Sequence, residues 1–375
     1  MVNHLRNSPP PLNWAAVRGA WALAVLRAPA LRLMLAALAV SVLPGCGTLY
    51  VAQAAIGQWH VLHARRPIPA VVEDPHTPST VRDTLSVVRE ARDFASSDLH
   101  LPDNKSYRTY ADIHRRYVVW NVVATPEFSV GPKRWCFPIA GCVAYRGYFK
   151  EKKATAFADG LSKQGYDVMV GGVTAYSTLG KFADPVLSSM IGYGDMDLTA
   201  TIFHELAHQL LYVQNDSEFN EAFATTVEDE GLRRWLEKRG NSGAMATFLE
   251  SHEHEHEFVQ LFTSYRAKLA RLYASKIARD QMRADKQKSF ASLADDIKAL
   301  EKRQGVRYGL YERWIANGLN NADLASVATY YDCVPGFERL FAEQGGDFQR
   351  FYAAAREMSK LTRAERHAKL CVKPQ

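Results

Sequence analysis

Two histidines and a glutamate near the middle of the chain have the spacing of a metal-dependent hydrolase. His204, Glu205 and His208 form the pattern H-E-x-x-H. Residues four apart lie on one face of an α-helix, so both imidazoles can reach one metal ion while Glu205 lies beside it. A catalytic zinc ion also needs a third protein ligand and one open position. We therefore predict that His204 and His208 bind Zn²⁺ and that Glu205 is the general base on the zinc-bound water.

Glu221 is the candidate for the third zinc ligand. It follows His208 by thirteen positions in the run Asn220–Ala224. Apolar residues at helical spacing predict one helix near Asp197–Val213 and a second near Glu218–Lys238. Asp216 or Ser217 can cap the second helix, and antiparallel packing would bring Glu221 beside the two histidines. The alternative is a metal-free arrangement of two hydrogen-bonded histidines and a helix carboxylate.

The pairing of H-E-x-x-H with a later Asn-Glu-x-x-Ala element resembles the gluzincin metallopeptidases, in which that Glu is the third zinc ligand. The resemblance implies an oxyanion donor from a later segment, for which Tyr330 is the first candidate and Tyr331 the next. Core packing of either tyrosine is the alternative. The gluzincin resemblance also implies that an extended substrate lies along an edge strand before the zinc helix. Gly172–Thr178 has that position, with Tyr176 and Ser177 as candidate cleft residues. A plain buried strand without a role in substrate binding is the alternative.

One departure from this pattern concerns the substrate amine. Gluzincin aminopeptidases carry a Gly-x-Met-Glu-Asn element whose Glu binds the free α-amine, whereas Gly171–Ala175 contains no acid. Glu218 and Glu228 are candidate substitutes, although Glu218 at a helix start also suits the helix macrodipole. Whether the site recognises a free amino terminus is therefore open at this stage.

Further motif blocks are spread over most of the chain. They are Trp135–Pro138, Gly141–Cys142, Tyr145–Phe149, Ala175–Gly180, Asp184–Pro185, Phe203–Gln209, Asn320–Ala322, Thr329–Tyr330 and Val334–Pro335. Together these blocks resemble the bacterial predicted-aminopeptidase lipoprotein family, and the resemblance implies a zinc-dependent peptidase with a peptide substrate.

The first 45 residues have the pattern of an export signal. Four arginines without acids precede the apolar run Leu33–Leu43, which is too short for a stable membrane span. The run ends at a sequence that resembles a bacterial lipoprotein box, and this implies cleavage before Cys46, lipidation of its thiol and anchoring in a lipid bilayer. By the same resemblance, Gly47 after the cysteine implies anchoring in the periplasm at the outer membrane rather than at the inner membrane. The alternatives are an uncleaved anchor or a misassigned start.

The remaining four cysteines suit disulfides in an oxidising compartment. Cys136 and Cys142 are the first predicted pair because they enclose a short loop, and Cys333 with Cys371 is the second. A metal site built from these cysteines is the rival interpretation, although no C-x-x-C pair is present.

The charge balance argues against nucleic acid as a partner. The whole chain has a formal net charge of +6, but four of its cations are arginines before Cys46, so the rest carries only +2. A nearly neutral body lacks the electrostatic footprint of a nucleic-acid-binding protein.

The periodicity predicts an α+β fold that is predominantly helical with a small mixed sheet, and the resemblance to the gluzincins implies that this is a zincin-like metallopeptidase body. Residues 46–78 form the predicted lipidated N-terminus and linker, and residues 79–375 the peptidase domain with a helical C-terminal part. Glu257–Arg303 is predicted to be a long helix or a helical hairpin. The histidine-rich tract His252–His256 before it has two interpretations, metal binding or a solvated junction between helices.

Three functions are compatible with these residues. An aminopeptidase acting on peptides in the periplasm leads, and a periplasmic endopeptidase acting on envelope proteins is the alternative. A catalytically silent zinc-containing interaction module is a third hypothesis, which the intact Glu205 argues against, since a structural zinc site does not need that carboxylate.

Overall fold

The structure, a computed structural model, describes residues 45–137, 141–192, 194–305, 315–316 and 318–371. The signal peptide predicted for residues 1–45 lies outside this part of the chain except for its last residue. Residues 57–375 form one compact unit, and it contains every predicted catalytic and zinc-binding residue. No helix in the described ranges combines the length and the apolar character that crossing a membrane requires.

The fold is α+β and predominantly helical, as predicted. The helices are α1 Gly45–His63, α2 Ile68–Glu73, α3 Ser79–Ser97, α4 Glu151–Ser162, α5 Ser188–Ile191, α6 Asp195–Leu210, α7 Ser217–Arg239, α8 Ser242–Ala274, α9 Arg279–Gln304, α10 Asn321–Tyr331, α11 Val334–Glu343, α12 Phe348–Ser359 and α13 Arg363–Leu370. The strands are β1 Arg65–Pro67, β2 Thr109–Ala111, β3 Val119–Pro126, β4 Trp135–Phe137, β5 Gly141–Val143, β6 Tyr145–Tyr148, β7 Tyr166–Val173 and β8 Val186–Leu187.

The strands form three small sheets. The central one has the order β6-β3-β7 and is antiparallel throughout. A second has the order β1-β2-β8 and is mixed, because β1 pairs antiparallel and β8 parallel with β2. The third is the hairpin β4-β5, in which Cys136 lies opposite Cys142. Because these sheets are small, most of the buried core residues lie on the helices.

Helices α6 and α7 are the two site helices predicted from the sequence, with ends shifted by one to three residues. Their apolar faces are buried in the main core, as the periodicity indicates: Phe203, Leu206 and Ala207 on α6, and Phe219, Ala222, Phe223, Val227 and Trp235 on α7. Asp216 is the N-cap of α7, where its carboxylate accepts from the Phe219 N–H at 3.4 Å. The capping prediction is therefore confirmed, with Asp216 rather than Ser217 in the role.

The segment predicted as a long helix or a hairpin is a hairpin of α8 and α9. It packs with α10 around a second hydrophobic core that includes Phe262, Leu293 and Ile297. Helix α8 begins at Ser242, so the tract His252–His256 lies inside a helix and its interpretation as a junction was wrong. These histidines belong to no group of three potential metal ligands among the described residues.

The predicted substrate strand Gly172–Thr178 is wrong beyond its first two residues. Strand β7 lies at an edge of the central sheet, as expected, but it ends at Val173. Its neighbour β3 begins at Val119, which pairs with Val173, so the ladder has no partner residues beyond that point. The following Thr174 carbonyl instead accepts from Ser189 Oγ at 2.6 Å.

Both predicted disulfides are present. One joins Cys136 to Cys142 across the hairpin β4-β5, and the other joins Cys333, before α11, to Cys371 at the end of α13. The rival interpretation of a metal site made from all four cysteines is therefore wrong for the oxidised protein.

The C-terminal helix α13 is tied to the start of α7 through Asp216. Arg366 donates from Nε to Asp216 Oδ2 at 2.9 Å, and His367 Nε2 lies 2.6 Å from Oδ1. Burial raises the pKa of Asp216, but His367 and Arg366 outweigh that effect and hold its pKa below the usual value. The cap of the helix that carries Glu221 is thus an ionised carboxylate inside a charged network.

We expect Asp216→Asn to lower the free energy of unfolding by about 3 kcal/mol. Asparagine is as good an N-cap as aspartate, so the loss comes from leaving the Arg366 side chain, which is only 6% exposed, without its carboxylate. Urea unfolding would measure the change. Asp347→Asn is the matched control, because Asp347 caps α12 without a buried arginine. Equal effects of the two substitutions would contradict the importance of the ion pair.

Candidate active site

The three predicted metal ligands meet between α6 and α7. His204 Nε2 and His208 Nε2 lie 3.1 Å apart, and Glu221 Oε2 lies 3.3 Å from the first and 3.5 Å from the second. His208 and Glu221 are buried, and His204 is nearly so. His208, near the end of α6, contacts Glu221, near the start of α7. The two helices therefore run antiparallel, as the sequence predicts. This packing brings together residues that are up to 17 positions apart in the chain.

The spacing of these three atoms fits three corners of a tetrahedral metal site. Zinc binds histidine nitrogen and carboxylate oxygen at about 2.0–2.2 Å, and a tetrahedron of that size has edges of about 3.3–3.6 Å. The observed separations run from 3.1 to 3.5 Å. Among the described residues, this group supplies three ligands, which leaves one tetrahedral position for water or substrate. The residues present therefore fit a catalytic rather than a structural metal ion.

Glu228 determines which nitrogen of His204 faces the other ligands. It lies on α7, two turns after Glu221, and its Oε2 is 2.8 Å from His204 Nδ1. A carboxylate accepts, so Nδ1 carries the proton and donates, and a neutral His204 presents its Nε2 lone pair toward Glu221 and His208. Carboxylates bound to the outer nitrogen of a metal-binding histidine commonly fix its orientation in this way.

The electrostatics of the cluster call for a positive charge at its centre. Burial lowers the pKa of His204, but hydrogen bonds with Glu221 and Glu228 outweigh it and raise that pKa well above the usual value. Burial raises the pKa of Glu221, but the nearby His208 and His204 lower it to about 2. Three electron-rich atoms this close together need a shared cation, either a proton or a metal ion.

Glu205 lies beside this cluster in a largely desolvated position. Burial raises the pKa of its carboxyl; the charges of His208 and His204 lower it, and those of Glu221 and Asp184 raise it again, with a net increase. A general base works best when its pKa lies near the operating pH. The location and the direction of the shift both suit the predicted role of Glu205.

Among the described residues, Tyr330, Tyr145 and Tyr212 come close enough to Glu221 to sense its charge. The predicted Tyr330 on α10 has a pKa raised by burial and then by Glu221 and Glu205. Burial raises the pKa of Tyr145 on β6 and of Tyr212 after α6, and the charge of Glu221 raises both further. The sequence interpretation missed Tyr145 as a site residue, although it begins one of the family motif blocks. Tyr331, the second candidate, lies elsewhere, because its hydroxyl bonds to Glu255 on α8.

The first disulfide hairpin supports the loop between the two site helices. The Cys142 N–H donates to Asn215 Oδ1 at 2.7 Å, and Arg134 donates to the carbonyls of both Cys142 and Asn215. Asn220, next to Glu221, donates to and accepts from the Val213 backbone at 2.8 and 2.7 Å. These contacts hold the loop that sets how α7 presents Glu221 to α6.

The other sequence candidates have different partners. Tyr176 bonds to Gln58 through its hydroxyl, and Ser177 accepts from the Leu179 N–H at 3.0 Å. Glu218 pairs with Arg363 at 2.9 Å, whereas Glu228 binds His204. The carboxylates considered for binding a substrate amine are therefore already engaged, which argues against that role for either of them.

We expect Glu228→Gln to weaken metal binding by about 10- to 100-fold, the usual effect of losing an outer partner of a metal ligand. An uncharged amide stabilises the His204 orientation less and can bond to the opposite tautomer. Competition with a chromophoric chelator would measure the affinity. Glu230→Gln is the matched control, since Glu230 lies on the same helix but pairs with Arg233 and Arg234. An unchanged affinity in Glu228→Gln would contradict a supporting role.

Comparison with protein families shows that a family model covers most of the chain. The family model described as "Putative aminopeptidase" matches residues 49–370, which include α6, α7 and the tyrosines around the site. No curated protein and no solved structure matches the chain. The match confirms the aminopeptidase part of the resemblance predicted from the motif blocks, whereas its lipoprotein and gluzincin parts stay predictions.

Proposed function

The chain belongs to the putative aminopeptidase family, and from this premise we propose that it is a zinc-dependent peptidase, acting as an aminopeptidase on peptides. The observation that carries the proposal is the convergence of His204, His208 and Glu221 within 3.5 Å of one another, with Glu205 beside them. The family supplies the class of reaction. The separations supply the reason to assign zinc to the site.

The roles of the chain's own residues follow from their positions. A zinc ion bound here would lower the pKa of its water and polarise the scissile carbonyl. Glu205 takes the proton of the attacking water and passes it to the leaving amine. Glu228 keeps the His204 lone pair directed at the metal position, and burial around the cluster strengthens each of these electrostatic interactions.

Tyr330 is the proposed donor to the negative oxygen that develops on the attacked carbonyl. Its phenol is half-buried and senses the charges of both Glu221 and Glu205. A phenol keeps its proton at neutral pH, and the raised pKa of Tyr330 acts in the same direction, so the hydroxyl can donate a hydrogen bond. Tyr145 occupies similar electrostatic surroundings on the central sheet and is the comparison residue.

We expect Tyr330→Phe to reduce kcat by about 100-fold, at the lower end of the effect of losing one oxyanion donor. The metal content and KM should change little, because the phenol is proposed to act mainly in the transition state. Tyr331→Phe is the matched control, since the neighbouring hydroxyl bonds to Glu255 instead. A normal kcat in Tyr330→Phe with a reduced kcat in Tyr145→Phe would assign the role to Tyr145.

We also propose that the mature protein begins at Cys46 and is held in the periplasm by a lipid on that residue, at the outer membrane. The support is the sequence alone: arginines, a short apolar run and a lipoprotein-like box ending at Cys46. Metabolic labelling with a fatty acid would test it. Label retained in Cys46→Ala would contradict lipidation at this residue.

The central experiment combines metal analysis with peptide hydrolysis by the purified mature protein. We expect about one zinc per chain, activity lost with a chelator and restored by zinc, and cleavage of peptides with free but not blocked amino termini. Internal cleavage of blocked peptides would favour the endopeptidase. Zinc-loaded protein without activity on a broad peptide library would overturn the enzymatic proposal and favour a silent zinc-containing module.

A further inference from the structure

The second disulfide has a histidine next to it, away from the proposed active site. The ligand atoms of Cys333, His367 and Cys371 all lie within 4.8 Å of one another. His367 lies in the last turn of α13, and Cys371 follows four residues later as its C-cap. Residues at this spacing point to the same side of a helix. When the disulfide is closed, its sulfurs bond to each other and are not available as ligands.

His367 is held in an orientation that suits a metal ligand. Its Nε2 lies 2.6 Å from Asp216 Oδ1, while the other oxygen of that carboxylate is bound by Arg366. Asp216 is fully buried and cannot turn away into solvent. A carboxylate on one ring nitrogen fixes the tautomer and leaves the second nitrogen, here Nδ1, as the ligand. The Asp216–His367 pair therefore resembles the outer half of a carboxylate–histidine–metal arrangement.

Opening the disulfide makes both sulfurs available as ligands. Cys333 is fully buried. Metal ions bind cysteine as the thiolate, so metal binding itself displaces the thiol protons. Two thiolates with an imidazole form a soft ligand set that selects zinc and related ions over magnesium or calcium.

We propose that Cys333, His367 and Cys371 form a second metal site in the reduced protein, one that takes a thiophilic divalent ion such as zinc. A dithiol supplies two electrons and two protons: the Cys333–Cys371 S–S bond breaks, and one S–S bond forms in the reductant. The metal ion then displaces the two thiol protons, which pass to solvent, and two metal–sulfur bonds form. The C-terminal helix is thus cross-linked to the start of α11 in both oxidation states.

Neighbouring groups do not offer the same chemistry. Asp216, Glu218 and His367 also lie within 4.8 Å of one another, but the two carboxylates are already paired with Arg366 and Arg363. The Cys136–Cys142 pair belongs to no group of three potential ligands in the part of the chain that the structure describes. This pair provides an internal control, because the same reductant opens both disulfides.

Cobalt(II) spectroscopy tests the proposal independently of peptidase activity. The mature protein would be reduced with dithiothreitol, desalted without oxygen and titrated with Co²⁺. We expect an intense near-ultraviolet thiolate-to-cobalt charge-transfer band in reduced but not oxidised wild type. The proposed active site contributes none, because it has no sulfur ligand. The band should persist in the Cys136→Ser/Cys142→Ser variant and vanish in Cys333→Ser/Cys371→Ser.

Two outcomes would overturn the proposal: no band in the reduced wild type, or a band that survives in Cys333→Ser/Cys371→Ser.

His367→Gln tests the third ligand, since glutamine can keep a hydrogen bond to Asp216 while losing the imidazole. We expect its cobalt affinity to fall at least tenfold, and an unchanged affinity would overturn the three-ligand assignment. Zinc should also raise the Tm of the reduced wild type more than that of Cys333→Ser/Cys371→Ser, and an equal rise in both would contradict the cross-link.

Discussion

Glu205→Gln is expected to lower kcat for peptide hydrolysis by about 10³- to 10⁴-fold while the protein keeps its metal. The amide is nearly isosteric with the carboxylate but cannot accept the proton of the attacking water, and a positioned general base contributes up to about 10⁴-fold. Burial raises the pKa of Glu205, so the residue is tuned for proton transfer, whereas His204, His208 and Glu221 are left in place to bind zinc.

The measurement pairs steady-state kinetics on one peptide with metal analysis of the same sample. Glu237→Gln is the matched control, because Glu237 is exposed on α7 and pairs with Arg233 away from the site. Full activity in Glu205→Gln would show that another group takes the proton. Loss of zinc together with activity would show instead that Glu205 supports the metal, and the proposed division of roles would then be wrong.

The parts of the site that could be predicted from the sequence are those that depend on residues close together in the chain. H-E-x-x-H fixes the His204–His208 spacing on one helix, and the apolar faces of α6 and α7 predict that the two helices pack together. Because the loop between them is short, antiparallel packing follows, and it places Glu221 beside the histidines. The disulfide predictions succeeded for related reasons, namely a short enclosed loop in one case and the only two cysteines left in the other.

The features that were missed depend on neighbours that the sequence does not specify. Glu228 follows Glu221 by seven residues, which predicts a shared face but not that its carboxylate reaches His204 Nδ1. The end of β7 at Val173 is set by where β3 begins. The prediction placed the start of α8 too late. Residues around His252–His256 are polar at nearly every position, so they lack the apolar periodicity that marks a helix in the sequence. The proximity of Tyr145 to Glu221 depends on tertiary packing, in which α10 contacts both the central sheet and α7.

Glu221→Ala is expected to weaken zinc binding by more than about 100-fold, since loss of an outer partner alone costs 10- to 100-fold and here a direct ligand is removed. Hydrolysis should fall to the background rate at micromolar zinc and recover in part at high zinc, because His204 and His208 still provide two ligands. The site would also lose the negative charge that balances the cation it holds, which weakens binding further.

Chelator competition for zinc affinity, followed by activity measured against zinc concentration, would separate lost metal from lost chemistry. Glu218→Ala is the matched control: it lies one turn earlier on the same helix, and its carboxylate binds Arg363 rather than the cluster. Equal zinc affinities of Glu221→Ala and wild type would remove Glu221 from the ligand set. Zinc would then have to take its third ligand from another residue. Negligible zinc affinity in both proteins would instead favour the metal-free alternative, in which Glu221 serves only as a hydrogen-bond partner of the two histidines.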